Sequence, residues 1–214
     1  DYDLDVDGID VARFKSFFGR SEIHEPCPPD GPAPVPKTGQ ISCYDADGNP
    51  RDCAGTGEDG EYQKGVILPN PRVTDQADGT VTDNLTGLIW LKNTNCFDAR
   101  TWNDALSDCK GLSSGSCGLT DGSNTGDWRL PNRSELYSLV DTRFYQPALS
   151  NTAGTGQWVE GDPFTSVQPG YYWSSTTTAG NSAVAWGVYM DSGDVRRNNK
   201  SGLVQYVWPV RGGH

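Results

Sequence analysis

The sequence predicts an α+β domain that disulfide bonds hold together. Glycine and proline are abundant, at 26 and 14 of 214 residues, which indicates many turns and few long helices. Two short segments have the apolar spacing of amphipathic helices, and most other apolar runs alternate like strands. The chain has six cysteines and no CxxC pair, so disulfides are their expected use.

The first strands are predicted between residues 78 and 91. Asp78-Gly79 is a tight-turn dipeptide, and the residues from Thr80 to Thr82 alternate like a half-buried strand. A second turn follows, and 88–91 is a short apolar run. This order predicts a β-hairpin that leads into a buried strand.

Two short amphipathic helices come next. Thr101 begins the pattern of a capping box, and apolar residues at helical spacing extend from Trp102 to Leu112. Asn132 and Glu135 repeat the cap pattern ahead of a second apolar stripe. Both segments are too short for long helices.

The C-terminal part of the main domain is predicted to be an antiparallel sheet. Alternating residues predict strands at 171–175, 183–191, 193–195 and 204–211. No repeat of solenoid length occurs along the chain.

Cys43 and Cys53 are the first expected disulfide. They flank a turn-rich segment that would bring their Cα atoms within bridging distance. Disulfides form and persist in oxidising compartments, so we expect an exported protein.

The other four cysteines predict two further bonds. Cys96 follows the apolar run at 88–91 and Cys117 follows the next helix, so a bond between them would staple that connection. Subtraction leaves Cys27 with Cys109, although six cysteines allow many other pairings. All thiols are therefore expected to be oxidised.

Residues 1–24 differ from the rest of the chain, because aspartates alternate with other residues ahead of three phenylalanines at helical spacing. With Asp10 aligned to position 12 of an EF-hand loop, the register resembles the calcium loop of dockerin modules. Position 1 would precede the chain, and Leu4 stands where glycine is usual. The alternative is an acidic segment in which Asp10 caps a helix. The predicted calcium ligands are Asp1, Asp3, Asp5, Asp7 and Asp10.

Residues 25–36 are predicted to be an extended linker. Their sequence, EPCPPDGPAPVP, is too rich in proline to continue a helix or a sheet. The linker separates the acidic segment from a main domain at 37–214.

Several motifs in fixed order resemble one bacterial extracellular family. They are DGTVTDNLTGLIWLKN at 78–93, DWRLPN at 127–132, YYWSST at 171–176, AW at 185–186 and VWPVRG at 207–212. Together they closely resemble the DUF1566 family, also called the Lcl C-terminal domain family after a collagen-like adhesin. The resemblance covers about residues 35–211 and implies a C-type-lectin-like fold. Residue spacing by itself predicts only a disulfide-bonded α+β domain.

The tryptophans and arginines within these motifs are interpreted as scaffold. Trp90, Trp128, Trp173 and Trp208 lie among apolar neighbours and are expected in the core. The motif arginines, 129 and 211, are expected to pair with carboxylates as structural clamps.

The polar segment from 175 to 205 is the predicted binding surface. Small polar residues with occasional aromatic or arginine anchors are typical of recognition loops, so we expect a C-terminal loop face that binds the ligand. The segment also resembles the variable region of retroelement-diversified proteins that carry this domain family, although ordinary solvated loop is the alternative for any single residue. The candidate ligand-binding residues are Thr177, Asn181, Trp186, Tyr189, Asp191, Asp194, Arg196, Arg197, Asn198 and Asn199.

An enzyme is the less favoured interpretation. Formylglycine-generating enzymes share the implied fold class and use late cysteines, but no cysteine follows Cys117. The two histidines, 24 and 214, are not arranged with a nucleophile, and most acidic residues lie in turns. A carboxylate-dependent hydrolase stays as an alternative.

The charge narrows the expected partners. The net charge of −11 opposes binding to nucleic acid or to an anionic membrane, and it argues against the sulfated polysaccharide associated with the family's named adhesin. No apolar stretch reaches the length of a membrane span and no signal peptide is present, so the chain is expected to be a mature or trimmed form.

We therefore expect a secreted or cell-surface module that binds a protein or glycan ligand in adhesion, with calcium as its cofactor. The alternative is a filament subunit that assembles head-to-tail through its N-terminal calcium-binding arm.

Overall fold

A computed structural model describes residues 35–212, and the described residues from Pro36 onward form one compact unit. The predicted calcium segment with its five aspartates, the first part of the linker and Cys27 lie outside the described residues. Within them, the structure is an α+β arrangement of three antiparallel sheets and short helices, as the sequence predicts.

The unit begins with a small disulfide-bonded hairpin. Strand β1 (Cys43–Tyr44) pairs with β2 (Pro50–Arg51), and the Asp45 carboxylate holds the turn by accepting from the Asn49 backbone N–H at 2.8 Å. Helix α1 (Asp59–Tyr62) follows. The disulfide between Cys43 and Cys53, whose Cα atoms are 5.2 Å apart, confirms the first predicted pair.

The second sheet contains the predicted hairpin. Its strands are β3 (Val73–Asp75), β4 (Thr80–Asp83), β5 (Ile89–Leu91) and β9 (Val210–Arg211), hydrogen-bonded in that order. Val81 and Trp90 lie opposite each other in β4 and β5 and are fully buried. The sequence did not predict β3, because it has only three residues and lies at the edge of the sheet.

Both predicted helices are confirmed. Helix α2 (Trp102–Gly111) begins at Thr101, whose hydroxyl accepts from the Asp104 backbone N–H. Helix α3 (Arg133–Tyr137) begins with a full capping box between Asn132 and Glu135.

The third sheet forms most of the C-terminal part of the unit. Its strands are β6 (Tyr171–Thr178), β7 (Asn181–Tyr189) and β8 (Asp194–Asn199), in sequential antiparallel order. The polar segment expected to contain recognition loops is therefore largely strand. Strand β8 is longer than the predicted 193–195, because arginine and asparagine side chains on an exposed edge strand carry no apolar alternation.

The predicted strand at 204–211 is wrong over most of its length. Only β9 is a strand, and earlier residues form single bridges, such as Gln205 to Arg100 and Tyr206 to Tyr172. The alternation reflects burial between several neighbours rather than pairing with one long partner. Pro209 also lacks the N–H that a continuous ladder requires.

The disulfide between Cys96 and Cys117 is confirmed, with Cα atoms 5.6 Å apart. Cys109 forms no disulfide within residues 35–212: it is a free thiol on α2, fully buried beside Trp173 and Ala185. Burial raises the pKa of the Cys109 thiol well above its ordinary value. The expectation that all thiols are oxidised is therefore not met in the described structure, where Cys109 packs as a small apolar residue.

Four aromatic rings connect the second and third sheets. Trp208 packs edge-on against Trp90 at 5.8 Å and against Phe164 at 4.8 Å, and it also contacts Tyr172 at 5.5 Å. Its indole N–H donates to the Leu91 carbonyl at 3.0 Å. The four motif tryptophans expected in the core are all buried, which confirms that prediction.

Ion pairs connect α3 and β9 to neighbouring segments. Arg129 makes two hydrogen bonds of 2.7 Å to Glu135 on α3, and Arg211 pairs with the buried Asp121 at 3.0 Å, so both predicted clamps are present. The sequence did not predict the buried pair of Arg72 and Asp83, in which Arg72 also donates to the Ser138 carbonyl.

We predict that Trp208→Ala lowers the free energy of unfolding by about 3–5 kcal/mol, because it removes a fully buried ring and leaves a cavity. Tyr62→Ala, at a 58 % exposed position, is the control and should change it by less than about 0.5 kcal/mol. Urea denaturation of both variants measures the difference. Equal effects would contradict the central position of Trp208.

We further predict that a thiol reagent does not label native Cys109 and labels it once the unreduced chain is unfolded in denaturant. The thiol is buried and its pKa is raised, so the reactive thiolate is both rare and inaccessible. Mass spectrometry of unreduced peptides measures the labelling. A peptide that joins Cys109 to Cys27 would contradict the free thiol.

Candidate ligand-binding surface

The third sheet distributes the ten predicted binding residues over two faces. Opposite residues in an antiparallel sheet share a face, and Tyr189 lies opposite both Tyr171 on β6 and Asp194 on β8. Arg196, opposite Gly187, belongs to this same face. Trp186 and Arg197 lie opposite each other on the second face.

Four of the ten residues meet at one end of the first face, and Asn198, opposite Ala185, lies further along the same face. We call these four, with two neighbouring tyrosines, the tyrosine surface: Tyr145, Tyr171, Tyr189, Asp191, Asp194 and Arg196.

The tyrosine surface is built around one ring pair. The rings of Tyr171 and Tyr189 lie 4.8 Å apart and are tilted by 32°. The Arg196 guanidinium lies 6.0 Å from the Tyr171 ring and 3.7 Å from the Asp194 carboxylate. Its side chain is still 66 % exposed, so most of its hydrogen-bonding capacity faces solvent.

The surroundings of the Tyr189 hydroxyl shift its pKa. The Asp191 carboxylate raises the pKa of Tyr189, and partial burial and the neighbouring Tyr145 and Tyr171 contribute in the same direction. The hydroxyl therefore stays protonated and keeps a donor, which points to Asp191 at 3.4 Å. Tyr145 is 66 % exposed and extends the aromatic surface.

A cleft of about 300 Å³ adjoins the tyrosine surface and shares Asp191 with it. The Trp158 indole N–H is used within the fold, since it donates to the Phe164 carbonyl at 3.1 Å. Gln157 donates to the Tyr145 and Pro147 carbonyls and so fixes the rim. The cleft is lined by Gln146, Pro147, Trp158, Val167, Gln168, Pro169 and Asp191.

The cleft and the tyrosine surface together offer ring faces for apolar contacts beside amide, carboxylate and guanidinium groups for hydrogen bonds. This combination is typical of sites that bind by shape and orientation. The two are contiguous at Asp191, so an extended ligand can contact both.

The remaining predicted residues lie elsewhere. Thr177 accepts a 2.7 Å hydrogen bond from Lys200, whose ammonium lies 3.9 Å from the Trp102 ring, so both tie β6 to α2. The Asn198 side-chain nitrogen is buried and has no hydrogen-bond partner in the described part. Asn181 begins β7, and Asn199 ends β8 on the second face.

The sequence missed Tyr145, Tyr171 and Trp158 as site residues. Tyr171 lies within a motif interpreted as scaffold, and its ring is half-buried. Tyr145 and Trp158 occur in irregular segments with no periodic pattern that could place them. The pairing of β6 with β7 places Tyr171 beside Tyr189. Backbone hydrogen bonds from Gln146 to Asp191 and from Trp158 to Leu149 bring the two irregular segments to the same place.

The carboxyl groups with resolved pKa shifts are structural. Hydrogen bonds lower the pKa values of three carboxyl groups. Asn49 donates to Asp45, Arg51 donates to Glu58, and the Gly57 backbone N–H donates to Glu61. Burial opposes the shift at Glu135, yet its bonds from Arg129 and the Asn132 backbone lower the pKa overall. These groups are held ionised as hydrogen-bond acceptors.

A metal site is a separate question. Among residues 35–212, no group of three or more histidine, cysteine or acidic side chains has an arrangement that could hold a metal ion. The five aspartates predicted to bind calcium lie outside that range, so the calcium prediction stays a prediction.

The described residues define a disulfide-bonded α+β domain whose two larger antiparallel sheets share an aromatic core. Residues 79–211 match the family model of the Lcl C-terminal domain, which is more than half of the chain. The chain therefore belongs to the Lcl C-terminal domain family, as its motifs predict. A search of curated proteins found no match.

We predict that Asp191→Asn lowers the pKa of Tyr189, because the phenolate would no longer face a negative charge. Asp47→Asn, which removes a carboxylate from the N-terminal hairpin, is the control and should leave the Tyr189 titration unchanged. NMR titration of ring-labelled tyrosine measures both. An unchanged Tyr189 pKa in Asp191→Asn would show that the carboxylate does not contact the ring.

Proposed function

We propose that this chain is an extracellular recognition module that binds a protein or glycan ligand through the tyrosine surface and the adjoining cleft. The observation that carries the proposal is the meeting of Tyr189, Asp191, Asp194 and Arg196 with two further tyrosines at the mouth of a cleft. These residues come from separate segments of the chain.

The support beneath the surface favours binding. Tyr171 and Tyr189 stand on paired strands, and the next residue on each strand, Tyr172 and Met190, is buried in the core. A site on paired strands loses little conformational entropy when a ligand binds. Tyrosine also provides a large contact area with few rotatable bonds.

Export is part of the proposal. Two disulfides are typical of proteins that fold in an oxidising compartment. A C-type-lectin-like fold, which the family resemblance implies, is part of the same proposal. Among the described helices, none has the length and apolar character to cross a membrane.

We predict that Tyr145→Ala and Arg196→Ala each weaken ligand binding while the melting temperature stays close to that of the parent. Both side chains are about two-thirds exposed, so their loss should change stability by less than about 0.5 kcal/mol. Arginine and tyrosine anchors often contribute about 2 kcal/mol or more to binding.

A combined glycan and extracellular-protein array identifies the ligand, and titration calorimetry then compares the variants. Tyr62→Ala, an exposed tyrosine on α1, is the matched control and should bind like the parent. Parent-like affinity in Tyr145→Ala, in Arg196→Ala and in their double variant would rule out the tyrosine surface.

A further inference from the structure

The second face of the third sheet carries a different surface, centred on a half-buried tryptophan. Trp186 lies on β7, directly opposite Arg197 on β8. The guanidinium of Arg133, the first residue of α3, lies 5.1 Å from the Trp186 ring centre. We call Trp186, Arg133 and Arg197 the tryptophan surface.

The two arginines differ from every other arginine that the structure describes. Arg133 and Arg197 form no ion pair within residues 35–212, and both are exposed. The other described arginines are each paired with a carboxylate: 51, 72, 100, 129, 143, 196 and 211.

A backbone hydrogen bond holds Arg133 in place at the start of α3. The Arg133 backbone N–H donates to the Thr176 hydroxyl at 2.9 Å, which fixes the start of α3 against β6. The indole ring beneath its guanidinium excludes water from one side of the charge. Partial exclusion of water strengthens the attraction between a guanidinium and a carboxylate from outside.

We propose that the tryptophan surface binds an acidic segment of a second copy of this chain, residues 45–61. The chain carries 28 acidic residues against 17 basic ones, so a second copy is itself a source of complementary charge. The inference concerns self-association and goes beyond the proposed function, because it uses the other face of the sheet.

Residues 45–61 present the required chemistry. The segment has six carboxylates and one basic residue, Arg51, and the disulfide between Cys43 and Cys53 constrains it. Tyr44 and Ile41, which are 44 % and 73 % exposed, flank the carboxylates and supply apolar contacts for an indole ring. The acidic residues are Asp45, Asp47, Asp52, Glu58, Asp59 and Glu61.

Not all of these carboxylates are equally available. Asp45 and Glu61 accept backbone N–H groups within the segment, and Glu58 pairs with Arg51. Asp47 accepts no hydrogen bond from a described residue. Asp52 and Asp59 each accept one. These three aspartates are the groups that two arginines of another copy would bind.

The two surfaces are different, so the contact is heterologous. A heterologous contact leaves one unused surface at each end of a pair, and further copies add head-to-tail unless the rotation closes a ring. Because exposed charges carry it, the association should weaken as salt screens them.

Sedimentation velocity of the full chain over a range of protein and salt concentrations tests the inference. The parent is expected to form larger species as its concentration rises at low salt, and to lose them at high salt. The double variant Arg133→Gln with Arg197→Gln should weaken association by about tenfold or more. Lys64→Gln with Lys110→Gln removes the same charge from exposed positions elsewhere and should associate like the parent.

Mixing the arginine variant with a variant of the acidic segment distinguishes a specific contact from a general effect of charge. The triple variant Asp47→Asn, Asp52→Asn and Asp59→Asn should weaken association to a similar extent because it removes three charges, and Asn keeps the local hydrogen-bond acceptors. Mixed with the arginine variant, it should form 1:1 pairs that grow no further, because each pair keeps one intact contact. Unchanged melting temperatures show that both variants fold.

Three results would overturn the inference: a parent that is monomeric under all conditions, an arginine variant that associates like the parent, or a mixture that stays monomeric. Ligand binding by the tyrosine surface is measured separately on the arginine variant and is expected to equal that of the parent. Failure of self-association therefore leaves the proposed function intact.

Discussion

The packing of Trp208 between two sheets is the interaction on which the rest of the structure depends. Its ring contacts Trp90 of the second sheet, Tyr172 of the third sheet and Phe164 between them, and its indole N–H is satisfied by Leu91. Because a ring of this size contacts several segments at once, it fixes their relative positions. The third sheet has buried residues on both faces, with Tyr172 and Val188 on one and Trp173 on the other, and it presents polar residues at its edge and ends.

That arrangement explains how one sheet presents two chemically distinct surfaces. Alternate side chains of β7 point to opposite faces, so Tyr189 and Trp186 lie on different faces of the sheet although they are close in sequence. Tyr189 joins carboxylates and a paired arginine, whereas Trp186 joins two arginines that have no carboxylate within the described residues. The tryptophan surface therefore places two arginines without an ion pair in the described part of the chain beside one ring, where they can contact carboxylates from outside.

The sequence predicts the scaffold better than the site, for physical reasons. Helix caps at Thr101 and Asn132 are local signals that depend on a few neighbouring residues, and the motif tryptophans are buried as expected. The tyrosine surface depends on long-range pairing of β6 with β7 and on irregular segments around Tyr145 and Trp158. No local pattern encodes such contacts. Cys109 shows the same limit, because an even number of cysteines cannot reveal that one of them packs in the core.

Amide hydrogen exchange with and without a ligand identified by the array tests the central claim most directly, because it locates binding without any substitution. We predict slower exchange in the segments that form the tyrosine surface and its cleft, at residues 145–147, 167–171 and 189–196. Protection confined to residues 45–61, or to the tryptophan surface around Arg133 and Trp186, would contradict it.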